Sequence, residues 1–192
     1  MTHIPDPGIT RDDALNLLRA YLDNEKLITH CVASEAIMRA LAERLDENPD
    51  VWGIAGLLHD LDFQITNEDP AKHGMEAAGI LREKGIHEDV INAIQKHNAE
   101  GLGLERSTRF EFALTCAESI TGLIVATALV YPDQKLSSVK VKSVSKRMKT
   151  AHFARAVSRE RILECEKINI PIQDFIGISL EAMKGKSDEL GL

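Results

Sequence analysis

The sequence predicts an all-α fold, a single helical bundle, on three observations. Apolar residues recur at three- and four-residue spacing, and no segment sustains the alternation of a strand. Aromatic residues make up only 4% of a chain that is 44% hydrophobic, so the core must rely on Leu, Ile, Val and Ala. That composition suits packed helices better than a β-sandwich. Helix start and stop signals also bracket the periodic stretches.

Taken in order, Thr10 followed by Asp13 resembles a capping box and starts a helix that runs to about Asp23. A second helix covers roughly 26–45, with Leu27, His30, Ile37 and Leu41 on one face. Pro49 opens a third, which ends near His59-Asp60. Asp69-Pro70 reads as the N-cap and first residue of a fourth, with Gly85 as its stop. Residues 87–98 form a shorter helix with Val90, Ile94 and His97 on one stripe, and a long apolar helix follows over about 108–130. Helices are further expected at 139–149, at 159–168 and from Pro171 to Met183. The 192 residues suffice for one well-cored domain, with a core at about 20–130 and additional C-terminal helices at about 135–185.

Several function classes recede on composition. The start MTHIPDPGITRDD has neither a basic region nor an apolar segment, so no secretion signal is expected. The longest apolar stretch, Ile120 to Tyr131, is too short to span a bilayer. Cys31, Cys116 and Cys165 are far apart and odd in number, and read as buried thiols in a reducing cytoplasm. A net charge of −7 argues against a nucleic-acid duplex as partner. Charge is uneven, however: Lys135 to Arg161 holds nine Lys/Arg and one acidic residue, a net +8 that leaves −15 for the rest. That run is either a solvated helix face or a cationic wall that docks a phosphorylated or carboxylated small molecule.

The informative residues are polar ones on apolar stripes. His30, His73 and His97 are each expected on the inward face of a helix, and His59-Asp60 ends the helix GIAGLLHD. Glu118 interrupts the most apolar helix in the chain. A buried carboxylate needs a cation or a full set of donors, and mixed imidazole and carboxylate ligands suit Mn, Fe, Zn, Ni or Co better than Ca. His3, His87 and His152 lie outside this pattern and are expected at the surface or in the N-terminal turn.

His30, then His59-Asp60, then a carboxylate at 118 resembles the HD superfamily of metal-dependent phosphohydrolases. The stretches AGLLHDLD, KHGMEAAGIL, AIQKHN and CAESITGLIVATALVYPD are similar to its smaller HDIG-type branch and cover most of 20–185. The resemblance implies a helical HD domain in which His30, His59, Asp60 and Glu118 hold one metal ion. It also implies that His73 and His97 hold a second, with Asp60 bridging; alternatively they only hydrogen-bond substrate or water around a single ion. One or two divalent transition metal ions would activate a hydroxide for attack on a phosphoester of a small molecule or nucleotide. His59, Asp60 and Asp62 are the catalytic candidates; Asp62 either orients a ligand histidine or caps the end of its own helix. Lys72, Lys96, Lys142 and Arg147 are the phosphate-binding candidates.

Two departures from the family pattern stand out. Its last ligand is an aspartate where this chain has Glu118. Cyclic-dinucleotide phosphodiesterases of the superfamily carry a lysine where this chain has Phe63, which disfavours that activity. A mixed-valence di-iron oxygenase and a non-catalytic metabolite-binding regulator are the alternatives.

Overall fold

The computed structural model describes residues 6–192, so the expectation for His3 lies outside the described residues. Every regular element in that span is helical. In chain order these are α1 (Arg11–Tyr21), α2 (Glu25–Leu45), α3 (Pro49–Leu58), α4 (Met75–Glu83), α5 (Glu88–His97) and α6 (Ala99–Leu102). They are followed by α7 (Arg109–Leu129), α8 (Val141–Met148), α9 (Arg159–Leu163), α10 (Ile172–Lys184) and α11 (Ser187–Leu190). Leu136–Ser138 and Glu164–Ile168 form 3₁₀ turns.

Local chemistry sets most of these boundaries. Thr10 accepts the Asp13 amide, and its hydroxyl donates to the Asp13 carboxylate at 2.7 Å, which fixes the start of α1. Asn48 caps the Asp50 and Val51 amides, and Pro49 supplies the first residue of α3 with no donor to lose. At α7 the capping box is complete, with Thr108 and Glu111 satisfying each other's amides. Asp46 ends α2 in the left-handed region at φ 58°.

Two expectations needed correction. α4 begins at Met75, not Pro70, because Gly74 at φ +91° breaks the helical path. A Cβ at Gly74 would lie 3.3 Å from the Gln95 backbone, so glycine also allows α4 to start hard against α5. His73 therefore sits in the turn before α4 and not on a helical stripe. The helix expected over 159–168 tightens after Leu163 into a 3₁₀ turn. α6, α11 and the 136–138 turn carry no strong periodic signal and were not anticipated.

α3 lies at the centre, with every residue from Val51 to Leu58 buried. It forms an antiparallel pair with α2, and Gly56 sets how close the two come. A Cβ there would meet the Ser34 carbonyl oxygen at 2.8 Å and the Glu35 backbone at 2.9 Å. α7 passes behind this pair and also packs on α5, α8, α9 and α10. By length and hydropathy α7 could cross a membrane, but most of its apolar window is covered by these neighbours. One apolar cluster runs from Ala14 to Leu190 and includes Ile37, Leu41, Leu57, Ile91, Leu123 and Phe175. Each such buried side chain contributes about 1.5–3 kcal/mol relative to exposure. The three cysteines are buried free thiols within or beside that cluster.

Candidate metal centre

Four structural units deliver the five polar groups of the centre. α2 carries His30 in its second turn, on its inner face, and the end of α3 delivers His59 and Asp60. The turn before α4 delivers His73, and the last residue of α5 is His97. Because Gly56 lets α2 and α3 touch, His30 and His59 meet with ring centroids 5.0 Å apart.

Asp60 lies between two histidine pairs. Its Oδ2 is 3.4 Å from His59 Nε2 and 3.6 Å from His30 Nε2. Its Oδ1 is 3.2 Å from His73 Nε2 and 3.6 Å from His97 Nε2. The chain thus presents two groups that could hold a metal ion, His30–His59–Asp60 and Asp60–His73–His97, sharing one carboxylate.

The outer nitrogens of all four rings are committed elsewhere, and this assigns their tautomers. His59 Nδ1 donates to the Gly56 carbonyl at 2.9 Å, and His97 Nδ1 donates to the Ile94 carbonyl. His73 Nδ1 donates to Asp62 Oδ1 at 2.8 Å. His30 Nδ1 faces Thr121 Oγ1 at 2.8 Å, and that hydroxyl gives its own proton to the Glu118 carbonyl at 2.6 Å. Thr121 therefore accepts, and His30 Nδ1 carries the hydrogen. Every Nε2 is left with a lone pair pointing inward. The Nε2 atoms of His30 and His59 are 3.1 Å apart, and those of His73 and His97 are 2.8 Å apart. Two lone pairs at such distances repel unless a cation or proton lies between them, so the donor set fits metal ions.

The electrostatics agree. Burial, with the neighbouring imidazole, lowers His30 to about 4. Burial likewise takes His59 to about 4, against an opposing pull from Asp60. Both are neutral at pH 7, the form in which an imidazole can take a metal ion. Burial also works to lower His73, but hydrogen bonds to Asp60 and Asp62 outweigh it and hold the ring up at about 9. Without metal, His73 carries the proton that bridges to His97. Burial opposes the charge on Asp60, yet the four imidazoles hold its carboxyl well below the usual range.

Of the two sequence readings of Asp62, contact with a histidine is what the structure has; it does not cap the end of its own helix. It is fully buried, orients His73, and accepts the Gly74 and Ala77 amides at 2.8 Å, capping α4 rather than its own helix. Asn98 fixes the same turn by donating to the Pro70 and His73 carbonyls at 2.8 and 2.9 Å. Phe63, where a lysine was considered, packs edge-on against the His73 ring at 5.4 Å.

Glu118 belongs to neither candidate group. It lies beside His30 in a pocket of about 190 Å³ lined also by Thr121, Val157, Ser158 and Arg161. Its Oε1 accepts from the Ser119 hydroxyl at 2.5 Å and stands 3.6 Å from Arg161 Nη1. Burial pushes this carboxyl up to about 7, against the Ser119 hydrogen bond. None of the four phosphate-binding candidates lines this pocket. Lys72 is 3.7 Å from Asp69, Lys96 donates to Glu111 at 2.9 Å, and Lys142 is exposed on α8. Arg147 donates to the Ser143 carbonyl at 3.2 Å and lies over the Phe153 ring at 5.0 Å. His87 is the exposed N-cap of α5, and His152 is exposed.

Sequence reasoning missed Thr121, Asn98 and Arg161. Thr121 follows Glu118 by three residues on the same helix, which was the available signal. Arg161 was hidden among the nine cations of the basic run.

Three curated relatives give context. The chain is 34% identical over 76 residues to ribonuclease Y of Parafrankia sp., and 28% identical over 98 residues to ribonuclease Y of Acidothermus cellulolyticus. These matches cover 40% and 51% of this chain but only 14% and 19% of those enzymes. A tRNA (cytidine(56)-2′-O)-methyltransferase of Thermoplasma volcanium is 28% identical over 127 residues, 65% of this chain and 36% of that protein. No solved structure matches the chain. The HD domain family model matches residues 27–160, a span that contains every residue of both histidine pairs and the carboxylate between them. The chain belongs to the HD-domain family.

Proposed function

We propose that this protein is a metal-dependent phosphohydrolase acting on a phosphoester of a small molecule or nucleotide. The observation that carries this reading is Asp60, whose two oxygens face separate histidine pairs. His30, His59 and Asp60 would hold one divalent ion, and Asp60, His73 and His97 a second. Such ions, when bound, supply Lewis acidity toward phosphoryl oxygens and an activated water at neutral pH. The protein's part is to keep four Nε2 lone pairs and one carboxylate in place. The Gly56 and Ile94 carbonyls, Thr121 and Asp62 achieve this by holding each Nδ1–H. His73 would surrender its proton to solvent when its nitrogen is taken up as a ligand.

The ribonuclease name of two relatives supports a phosphoester substrate and adds a single-stranded oligoribonucleotide to the substrates worth testing. The test is anaerobic purification, metal removal and reloading with Mn²⁺, Fe²⁺, Zn²⁺, Ni²⁺ or Co²⁺. Phosphate release from phosphomonoesters and phosphodiesters is then measured, with the oligoribonucleotide included. Turnover that requires metal and vanishes in Asp60→Ala supports the proposal. Two bound ions with no turnover on any substrate would overturn it.

A further inference from the structure

Arg161 is held unlike the other cations of the basic run. Its Nη2 donates to Glu100 Oε2 at 2.6 Å, and Glu100 is itself gripped by Arg106. Arg106 in turn pairs with Glu164 at 2.9 Å, so the anchor is a chain of ion pairs running into the bundle. The opposite edge of the guanidinium points into the pocket beside His30. There Nη1 stands 3.6 Å from Glu118 Oε1, an ion-pair contact beyond hydrogen-bond length. The arm is fixed while one donor edge is left without a short partner.

The rest of the pocket is small and firmly walled. Gly122 opposes Val157, and a Cβ at Gly122 would meet Val157 Cγ2 at 3.0 Å. The Val157 wall is latched from behind by Arg159, which donates to the Ala154 and Val157 carbonyls at 2.7 Å and also to the Phe153 carbonyl. At about 190 Å³ the pocket falls below the range of drug-sized sites and suits a compact group. Its two ends differ. His30, a candidate metal ligand, is at one, and Arg161, the only lysine or arginine among its lining residues, is at the other.

We propose that Arg161 is the anion-anchoring residue of the site, its Nη1 edge taking an oxygen of a compact phosphorylated substrate that lies between it and His30. Glu118 is its partner when no anion is bound. This rests on the phosphohydrolase reading and assigns the part of the substrate site that the metal groups leave open. A guanidinium suits the task because it stays charged and presents paired donors in one plane. The restraint by Glu100 lowers the ordering cost of using them.

The test uses the full, metal-reloaded chain, with inorganic phosphate as the probe in calorimetry and p-nitrophenyl phosphate in kinetics. Arg161→Gln is expected to keep the wild-type metal-to-chain ratio and thermal midpoint while weakening phosphate binding by roughly tenfold or more. Its defect should fall on KM more than on kcat. Arg161→Lys, which restores charge without the fork, should recover only part of the loss. Glu100→Gln frees the anchor without touching the pocket and should weaken phosphate by about threefold, keeping the test informative if Arg161 variants fold poorly. Lys140→Gln, an exposed member of the same basic run, should bind phosphate as wild type does. Unchanged phosphate binding in Arg161→Gln, or a matching loss of metal, would overturn the proposal, as would a wild-type protein that binds no phosphate. If wild type turns over and Arg161→Gln matches it, the anchor fails and the hydrolase reading stands. If phosphate binds through Arg161 but no ester is cleaved, the hydrolase reading fails and the anion site stands.

Discussion

The two histidine pairs that share Asp60 are built from the same atoms yet sit in different surroundings. His73 and His97 keep only 10% and 4% of their side-chain surface; His59 keeps 1%, but its partner His30 keeps 25% and opens onto the Arg161 pocket. Their supports differ as well. His73 is held by a carboxylate that also caps α4, and His30 is held by a neutral hydroxyl. Both supports are buried, and a charged one costs more to lose than a neutral one. The inner pair, His73 and His97, is thus the more firmly supported half of the centre, and the outer pair, His30 and His59, opens onto the pocket through His30 alone.

The largest effect is expected where the halves join. Asp60→Ala removes a ligand from both groups, so metal content should fall from two ions per chain to one or none. Turnover should drop by at least a thousandfold, about 4 kcal/mol in the barrier. Elemental analysis and phosphate release check this directly.

The next prediction sets the halves against each other. Asp62→Ala should weaken metal binding at the inner pair by about 10–100-fold and destabilise the fold by about 1–3 kcal/mol, because α4 loses its cap. Thr121→Val removes only a neutral acceptor from His30 and should cost the outer pair less than tenfold, with little change in stability. Metal titration and denaturant unfolding of both variants measure the difference, and equal losses would erase the proposed asymmetry.

The smallest effect is on acid stability of the metal-free protein. In the unfolded chain imidazoles protonate near 6.5, whereas folded His30 and His59 protonate only at about 4. The unfolded state therefore binds more protons between these values, and stability should fall by a few kcal/mol as pH drops from about 6.5 to 4. Glu118 runs the other way. Its folded value of about 7 lies above the ordinary carboxyl value, so its contribution is present at low pH and is lost as pH rises through about 7. Glu118→Gln should accordingly steepen the acid loss. Chemical denaturation across that pH range, with chelator present, tests both signs.

Much of this was legible from residues alone. Period and caps located the main helices, and His30, His59, Asp60, His73 and His97 do converge. The misread parts share a cause, since each depends on contacts between distant segments. Asp62 caps α4 from 12 and 15 residues away, which no local signal reveals. Lys96 looked poised beside His97 but is drawn off by Glu111 on α7. Arg161 is singled out only when Glu100, Glu118 and His30 are brought around one pocket.

On the proposed reading, the Asp60 carboxylate bridges two ions. This bridging is tested most directly by electron paramagnetic resonance of the protein titrated with Mn²⁺. Two ions per chain are expected at saturation, with an exchange-coupled spectrum that disappears in Asp60→Ala. Saturation at one ion, or two ions with the spectrum of isolated Mn²⁺, would contradict it.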